Sequence, residues 1–351
     1  VTGKTLELGL DTFGDVTEMP DGTPKDMAAV LRDVVEEAVL ADQLGVDSIT
    51  LGEHHRDDFA ISAPETVLAG IATRTSRIKL SSGVTVLSSD DPIRVFQRFA
   101  TIDALSNGRA EIIVGRGSFT ESFPLFGLEL AEYEVLFEEK LQLLAELLKE
   151  TPVNWSGTHR APLTNQHVYP TSHSGSMRAW VGVGGSPESV VRAARYGFPL
   201  MLAIIGGPSE RFAPYVDLYY RALNQLGMEP QPVGVHSPGH IAATDEEAIE
   251  QMWPNYEKMF GRIGRERGWA PITKDHYLNE VRNGSLYVGS PETVAKKIAH
   301  TVTALGVERF DLKYSTGPLS HDVLMESIRL YGTEVIPMVR DMVQNRVGTP
   351  G

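Results

Sequence analysis

The chain has 351 residues, 42% of them hydrophobic, a net charge of −14 and no cysteine. That length and apolar fraction suffice for one large α/β domain. Lack of cysteine removes disulfides, zinc–thiolate and iron–sulfur sites and thiol nucleophiles, and the acidic balance argues against nucleic acid or anionic membrane as a partner. No run approaches the ~18 apolar residues of a membrane span, and the first residues carry no apolar signal core; a cytoplasmic protein is expected.

In chain order, residues 6–10 read as a strand, and 26–44 as a helix with Val30, Leu31, Val34, Val35, Ala38 and Ala41 on one face. Residues 48–52 form the second strand, and 63–74 a helix with Ser62 as cap and Pro64 in its first turn. The third strand, 78–86, leads to a helix over 92–105, and the fourth, 110–115, to a helix over 133–150. The fifth, 179–183, precedes a helix over 187–196, and the sixth, 200–204, a helix over 208–226. The seventh starts at 233, the helix 291–305 follows after a long excursion, the eighth strand is 309–313, and a last helix spans 321–343. Eight short Val/Ile/Leu-rich strands alternating with helices predict a (β/α)8 TIM barrel, residues 1–351 forming a single domain. A doubly wound open sheet is the runner-up, disfavoured because the first strand-to-helix turn, Asp11-Thr12-Phe13-Gly14-Asp15, lacks the glycine fingerprint of dinucleotide binding. Segments 116–132, 151–178 and 237–287 exceed ordinary loop length and are read as insertions at the C-terminal face, the largest between strand 7 and its helix.

Chemistry in such a barrel gathers at the C-terminal strand ends. Strand 2 ends in Glu53-His54-His55, and alternation lets only one of the two histidines face the cavity. Strand 3 carries Gly83-Val84, where glycine lets the backbone approach something flat. Strand 4 ends in Gly115-Arg116-Gly117, a cation suited to an anion or planar heterocycle. Strand 5 ends in Gly184-Gly185-Ser186-Pro187-Glu188-Ser189, free N–H groups and hydroxyls at a helix start, which read as a phosphate cradle or as plain capping. No serine triad or metal constellation is evident, so the hard chemistry is assigned to an organic cofactor with a phosphate tail, and FMN fits that description best. A metal-dependent hydrolase using His54, His236 or His240 is one rival; a non-catalytic flavin-binding protein is another.

The stretches LGEHHRDDFAISAPETVLAGIATRTSRIKLSSGVTVLSSDDPIRVFQRFATIDALSNGRAEIIVGRG and VGVGGSPESVVRAARYGFP carry a resemblance over nearly the whole chain. It is to the bacterial luciferase-like, flavin-dependent monooxygenases, above all to an uncharacterised subgroup of oxidoreductases. The resemblance implies a barrel inserted near strand 7, reduced FMN supplied by a separate reductase, O2 and a small organic substrate, and a homodimer. Some relatives use a deazaflavin as dehydrogenases; Glu53-His54-His55 favours FMN. Carried over by motif, His54 is the catalytic residue, Gly83-Val84 form a cis peptide against the flavin ring, Arg116 contacts flavin, and Gly185, Ser186 and Ser189 hold its phosphate. The family's cysteine before the arginine is Gly115 here, and its acidic residue is replaced by Gly185, so light emission is not implied. The apolar segment 118–128, with Phe119, Phe123, Leu125 and Phe126, reads either as the wall of an apolar substrate pocket or as a packed lid.

Overall fold

The computed structural model describes residues 5–117 and 119–347, the side chains of 346 and 347 excepted; Ser118 of the lid segment lies outside the described residues. Eight parallel strands close a barrel: β1 (Glu7–Thr12), β2 (Ser48–Leu51), β3 (Lys79–Ser82), β4 (Ala110–Gly115), β5 (Arg178–Val183), β6 (Leu200–Ala203), β7 (Val233–Ile241) and β8 (Arg309–Lys313). Each pairs with its neighbours in order, and β8 returns to β1 with Glu7 opposite Arg309. The helices of the outer ring are α1 (Met27–Gln43), α2 (Pro64–Ala72), α3 (Pro92–Leu105), α4 (Tyr133–Leu147), α5 (Pro187–Arg195) and α6 (Ala213–Gln225). The chain continues through α7 (Asp245–Arg267), α8 (Lys274–Asn283), α9 (Pro291–Leu305), α10 (His321–Leu330) and α11 (Ile336–Val347), the last two joined by one π-helical segment, Tyr331–Val335.

Strand alternation divides two chemistries. Outward-facing Leu8, Leu10, Ile49, Leu51, Leu80, Ile112, Val114, Phe310 and Leu312 join the helices in one apolar core. The inward face is polar rather than the continuous apolar run expected of strands buried on both faces. Arg309, fully buried, donates from Nε to Asp311 at 2.9 Å, from Nη1 to Glu111 at 2.5 Å and from Nη2 to Thr50 Oγ1 at 3.1 Å. Asp311 also accepts from Ser48 at 3.2 Å and Thr50 at 3.1 Å. Burial alone would push the Glu111 carboxyl up, but Arg309, helped by Lys79 and Arg178, holds it below the usual range. The Trp180 ring packs 5.4 Å from the Arg309 guanidinium. These groups plug the lower barrel.

The helix starts follow their sequence signals. Asp26, Asp91, Ser186, Thr244 and Ser290 each accept a backbone N–H as N-caps, and Pro92, Pro187 and Pro291 sit in first turns. Ser62 does not cap α2: the cap position is Ala63, and it makes no side-chain bond. The excursion 237–287 is mostly helical. β7 runs on to Ile241, where Gly239–Ile241 pairs in parallel with Tyr287–Gly289. Between them α7 and α8 enclose a small core of Met252, Tyr256, Tyr277 and Val281. Thr244 starts α7 and Gly268, at φ +69°, ends it. Segment 151–178 leaves the C-terminal end of a helix and folds into an antiparallel hairpin, Val153–Trp155 with Leu163–Gln166. This hairpin lies on the outside of α4 through Thr158 and Glu139, and reaches the rim through Arg160 and Asp91 at 2.8 Å. Among the described residues no helix is long and apolar enough to cross a membrane.

Candidate active site

Above the plug, one arc of the mouth is kept clear of side chains. β3 stops at Ser82, the Gly83–Val84 peptide is cis, and Thr85–Val86 resumes pairing with β4. A Cβ at Gly83 would stand 2.2 Å from Thr50 Cγ2, so that position admits no side chain. A Cβ at Gly115 would come within 2.9 Å of Val84, and one at Gly182 within 2.8 Å. These two glycines therefore make room for Val84, which packs on Ile113, Trp180 and Met201. The result is an apolar, glycine-flanked wall that a planar ring can approach.

The next corner is built for an anion. Arg116, just past β4, donates from Nη2 to Ser189 Oγ on α5 at 3.1 Å and lies 5.3 Å from the Tyr133 ring. Arg116 and Arg192 both pair with Glu134. Gly184 has open space where a Cβ would be, and Gly185 takes φ +114°, a conformation that favours glycine. Ser186 is engaged as the helix cap: its Oγ accepts from Ser189 N at 3.3 Å and donates to Glu188 at 2.9 Å. The two readings of this turn thus separate by residue, with Ser186 capping and Ser189 facing Arg116. Together the corner and the wall fit a phosphorylated planar cofactor: a guanidinium, a hydroxyl and the backbone of the glycine turn for the phosphate, and glycines where the ring needs clearance.

Beside this wall, past the end of β2, stands His54. β2 ends at Leu51, so Glu53, His54 and His55 lie beyond the ladder, and their directions follow contacts rather than strand alternation. His54 is boxed by Phe13 at 4.4 Å, Phe59 at 4.6 Å and Phe119 at 5.2 Å between ring centroids. Its Nδ1 is buried without a hydrogen-bond partner among the described residues. Burial, followed by the nearby Lys313 charge, pushes this imidazole down to about 3. Near neutral pH the ring is therefore neutral, because the aromatic box excludes the water its charged form needs. His55 turns away, with Nε2 on Glu53 Oε1 at 2.8 Å and its ring edge-on to Phe126 at 5.3 Å. Burial raises the Glu53 carboxyl, opposed by His55 and by Val86 N–H, which donates to it at 2.8 Å.

The lid segment divides. Phe119 is clamped between Arg56 at 4.7 Å and Arg267 at 4.8 Å, and Phe123 is buried, whereas Leu125 and Phe126 are exposed. Arg56 also bonds Asp58, Glu121 and Glu266, tying its own loop, the lid segment and the end of α7 over the mouth.

The structure thus brings Gly83 and Val84 to one wall, Arg116, Gly184, Gly185, Ser186 and Ser189 to one corner, and His54 to the loop after the neighbouring strand β2. Sequence reasoning missed Phe13, Asp11 and Lys313, which stand with His236 on the far arc. Lys313 Nζ sits 3.1 Å from Asp15 Oδ1 and 4.5 Å above the Phe13 ring. Both Asp11 and Lys313 sit near C-terminal strand ends with inward parity, which was the available signal. His240 instead bonds Gln251 at 2.7 Å, and among the described residues no three His, Asp or Glu form a group that could hold a metal ion.

Comparison with known proteins agrees with this architecture. An uncharacterised Sinorhizobium fredii protein, y4vJ, is 24% identical over 333 residues, covering 91% of this chain and 94% of that one. The oxygenating constituent of Pseudomonas putida 3,6-diketocamphane monooxygenase, solved with FMN, superposes with a TM-score of 0.75 at 20% identity, covering 95% and 98%. The coenzyme F420-dependent tetrahydromethanopterin reductase of Methanopyrus kandleri superposes with a TM-score of 0.71 at 20% identity, covering 95% and 99%. The family model for luciferase-like monooxygenases matches residues 10–309. The chain belongs to the luciferase-like monooxygenase family.

Proposed function

We propose that this oxidoreductase is a monooxygenase using reduced FMN and O2 on a small organic substrate. The observation that carries the reading is the pairing of Arg116 Nη2 with Ser189 Oγ in the first turn of α5, beside the glycine-flanked wall of Gly83 and Val84. When bound, FMN supplies the electrons and activates oxygen. Arg116, Ser189 and the N–H groups after Gly184 and Gly185 bind its phosphate. Phe13, Phe59 and Phe119 exclude water from the mouth. His54 lines the substrate as a neutral imidazole, donating from one nitrogen and accepting at the other. A separate reductase supplies the reduced flavin, and the working unit is a homodimer.

The test is an anaerobic titration with reduced FMN, followed by mixing with air. Saturable binding and oxygen-dependent reoxidation support the reading. Replacing Arg116 with Gln is expected to weaken FMN by about 10- to 100-fold, the worth of a charge-assisted hydrogen bond, and riboflavin hardly at all. Ser189→Ala should act in the same direction with a smaller effect. Equal weakening of FMN and riboflavin removes the phosphate assignment. The likeness to the F420-dependent reductase makes a deazaflavin dehydrogenase the second reading. Tight deazaflavin binding with hydride transfer and no use of oxygen would replace the first.

A further inference from the structure

The mouth holds a second imidazole that the roles above leave unused. His236 sits on β7 in register with Asp311 of β8 and Ala203 of β6, so its ring projects into the barrel. Its Nδ1 is 3.2 Å from Asp11 Oδ2. Asp11 is buried on β1, and its other oxygen, Oδ1, has no hydrogen-bond partner among the described residues. A carboxylate on Nδ1 fixes which ring nitrogen carries the proton, turns Nε2 outward, and stabilises the imidazolium when Nε2 takes up a proton. Phe13 stands between the two histidines, 6.1 Å from the His236 ring and 4.4 Å from that of His54. Their surroundings are opposite: His54 has three aromatic rings and a nearby cation, while His236 has an anion. Burial pushes the Asp11 carboxyl up, and His236 pulls it back.

We infer that His236 carries the exchangeable proton of this mouth, presenting Nε2 to the reacting oxygen, and that Asp11 is its positioning residue. This rests on the flavin reading. In the reaction with air alone, the reduced flavin anion gives up two electrons and one proton. Dioxygen takes these together with one further proton and leaves as hydrogen peroxide. The further proton comes from Nε2 of the His236 imidazolium, leaving a neutral ring protonated at Nδ1 against Asp11, and Nε2 takes up a new proton from solvent.

The experiment has two readouts. In stopped-flow mixing with air, His236→Gln should keep FMN affinity within about twofold and slow reoxidation of the bound reduced flavin by about 100-fold, the usual worth of a general acid. His236→Ala should recover rate when free imidazole is added. Independently of flavin, nitrogen NMR of the unliganded protein should find the His236 proton on Nδ1, and Asp11→Leu should move it to Nε2. If Asp11→Leu does not fold, Asp11→Asn serves instead, with slowed reoxidation expected. Wild-type reoxidation in His236→Gln, no imidazole rescue, or an unprotonated Nδ1 in the wild type overturns the inference. If the wild type binds no flavin, the flavin reading fails instead, and the NMR result alone decides the pair.

Discussion

The lower and upper halves of the barrel interior hold similar residues in opposite conditions. Below, Arg309, Asp311, Glu111, Thr50 and Ser48 bond one another, and every arm of the guanidinium has a partner. Above, Asp11 Oδ1 and His54 Nδ1 are buried with no partner among the described residues. Burying a polar group without a hydrogen bond costs about 1–3 kcal/mol. The plug leaves Trp180 Nε1 and Glu7 Oε2 open at its edge but pairs its central charges, whereas the mouth leaves open a carboxylate oxygen and an imidazole nitrogen at its centre, spending stability where a ligand binds. The difference separates a structural plug from a reactive mouth, although both are charged and both are buried.

The comparison can be broken most severely from below. Arg309→Met removes the buried cation that Glu111 and Asp311 share, leaving Asp311 only hydroxyl donors, and the expected loss is about 3–5 kcal/mol of unfolding free energy, read from the urea midpoint. A loss under 1 kcal/mol would mean that the plug is not structural. The next effect belongs to the mouth and depends on pH. His54 has a ring value of about 3 in the folded protein against 6.5 in the open chain, so the folded state binds fewer protons between those limits. Its contribution is therefore intact above pH 6.5 and is lost as the pH falls from 6.5 toward 3, by up to about 1.4 kcal/mol per pH unit. His54→Gln should flatten the fall in melting temperature between neutral pH and about pH 4.5. Parallel profiles for the two proteins would show that the aromatic box does not exclude the charged ring. The smallest effect sharpens the contrast. Asp11→Asn should change stability by about 1 kcal/mol or less, because one of its oxygens already lacks a partner. A loss comparable to that of Arg309→Met would place Asp11 in the plug.

Much of this was legible in the residues. Periodicity and capping signals located the eight strands; the helices 92–105 and 291–305 and the strands 110–115 and 309–313 end where the sequence puts them. Those signals are local: Asp91-Pro92 and Ser290-Pro291 start helices by bonding their own first turns. The glycine-rich strand ends and Arg116 were legible for the same reason, since such residues at a barrel mouth have few other uses. The excursion after strand 7 was less so. Its two helices form a separate small core with Ala242, Leu286 and Val288 at the end of the β7 extension, so their apolar positions did not point to the main core.

By itself, then, the sequence determined the alternating barrel, the position of its mouth and the types of residue gathered there, because backbone periodicity, caps and glycine conformations are set within a few residues. Only the tertiary structure decided what each group can do. Asp11 and His236 are 225 residues apart in the chain and 3.2 Å apart in space. His54 is neutral because Phe13, Phe59 and Phe119 come from three separate loops. Ser186 caps a helix by accepting the Ser189 N–H, which leaves the Ser189 hydroxyl to meet Arg116 from another strand end. Burial and charge proximity fix protonation and hydrogen bonding, and both are properties of the closed barrel rather than of any segment of the chain.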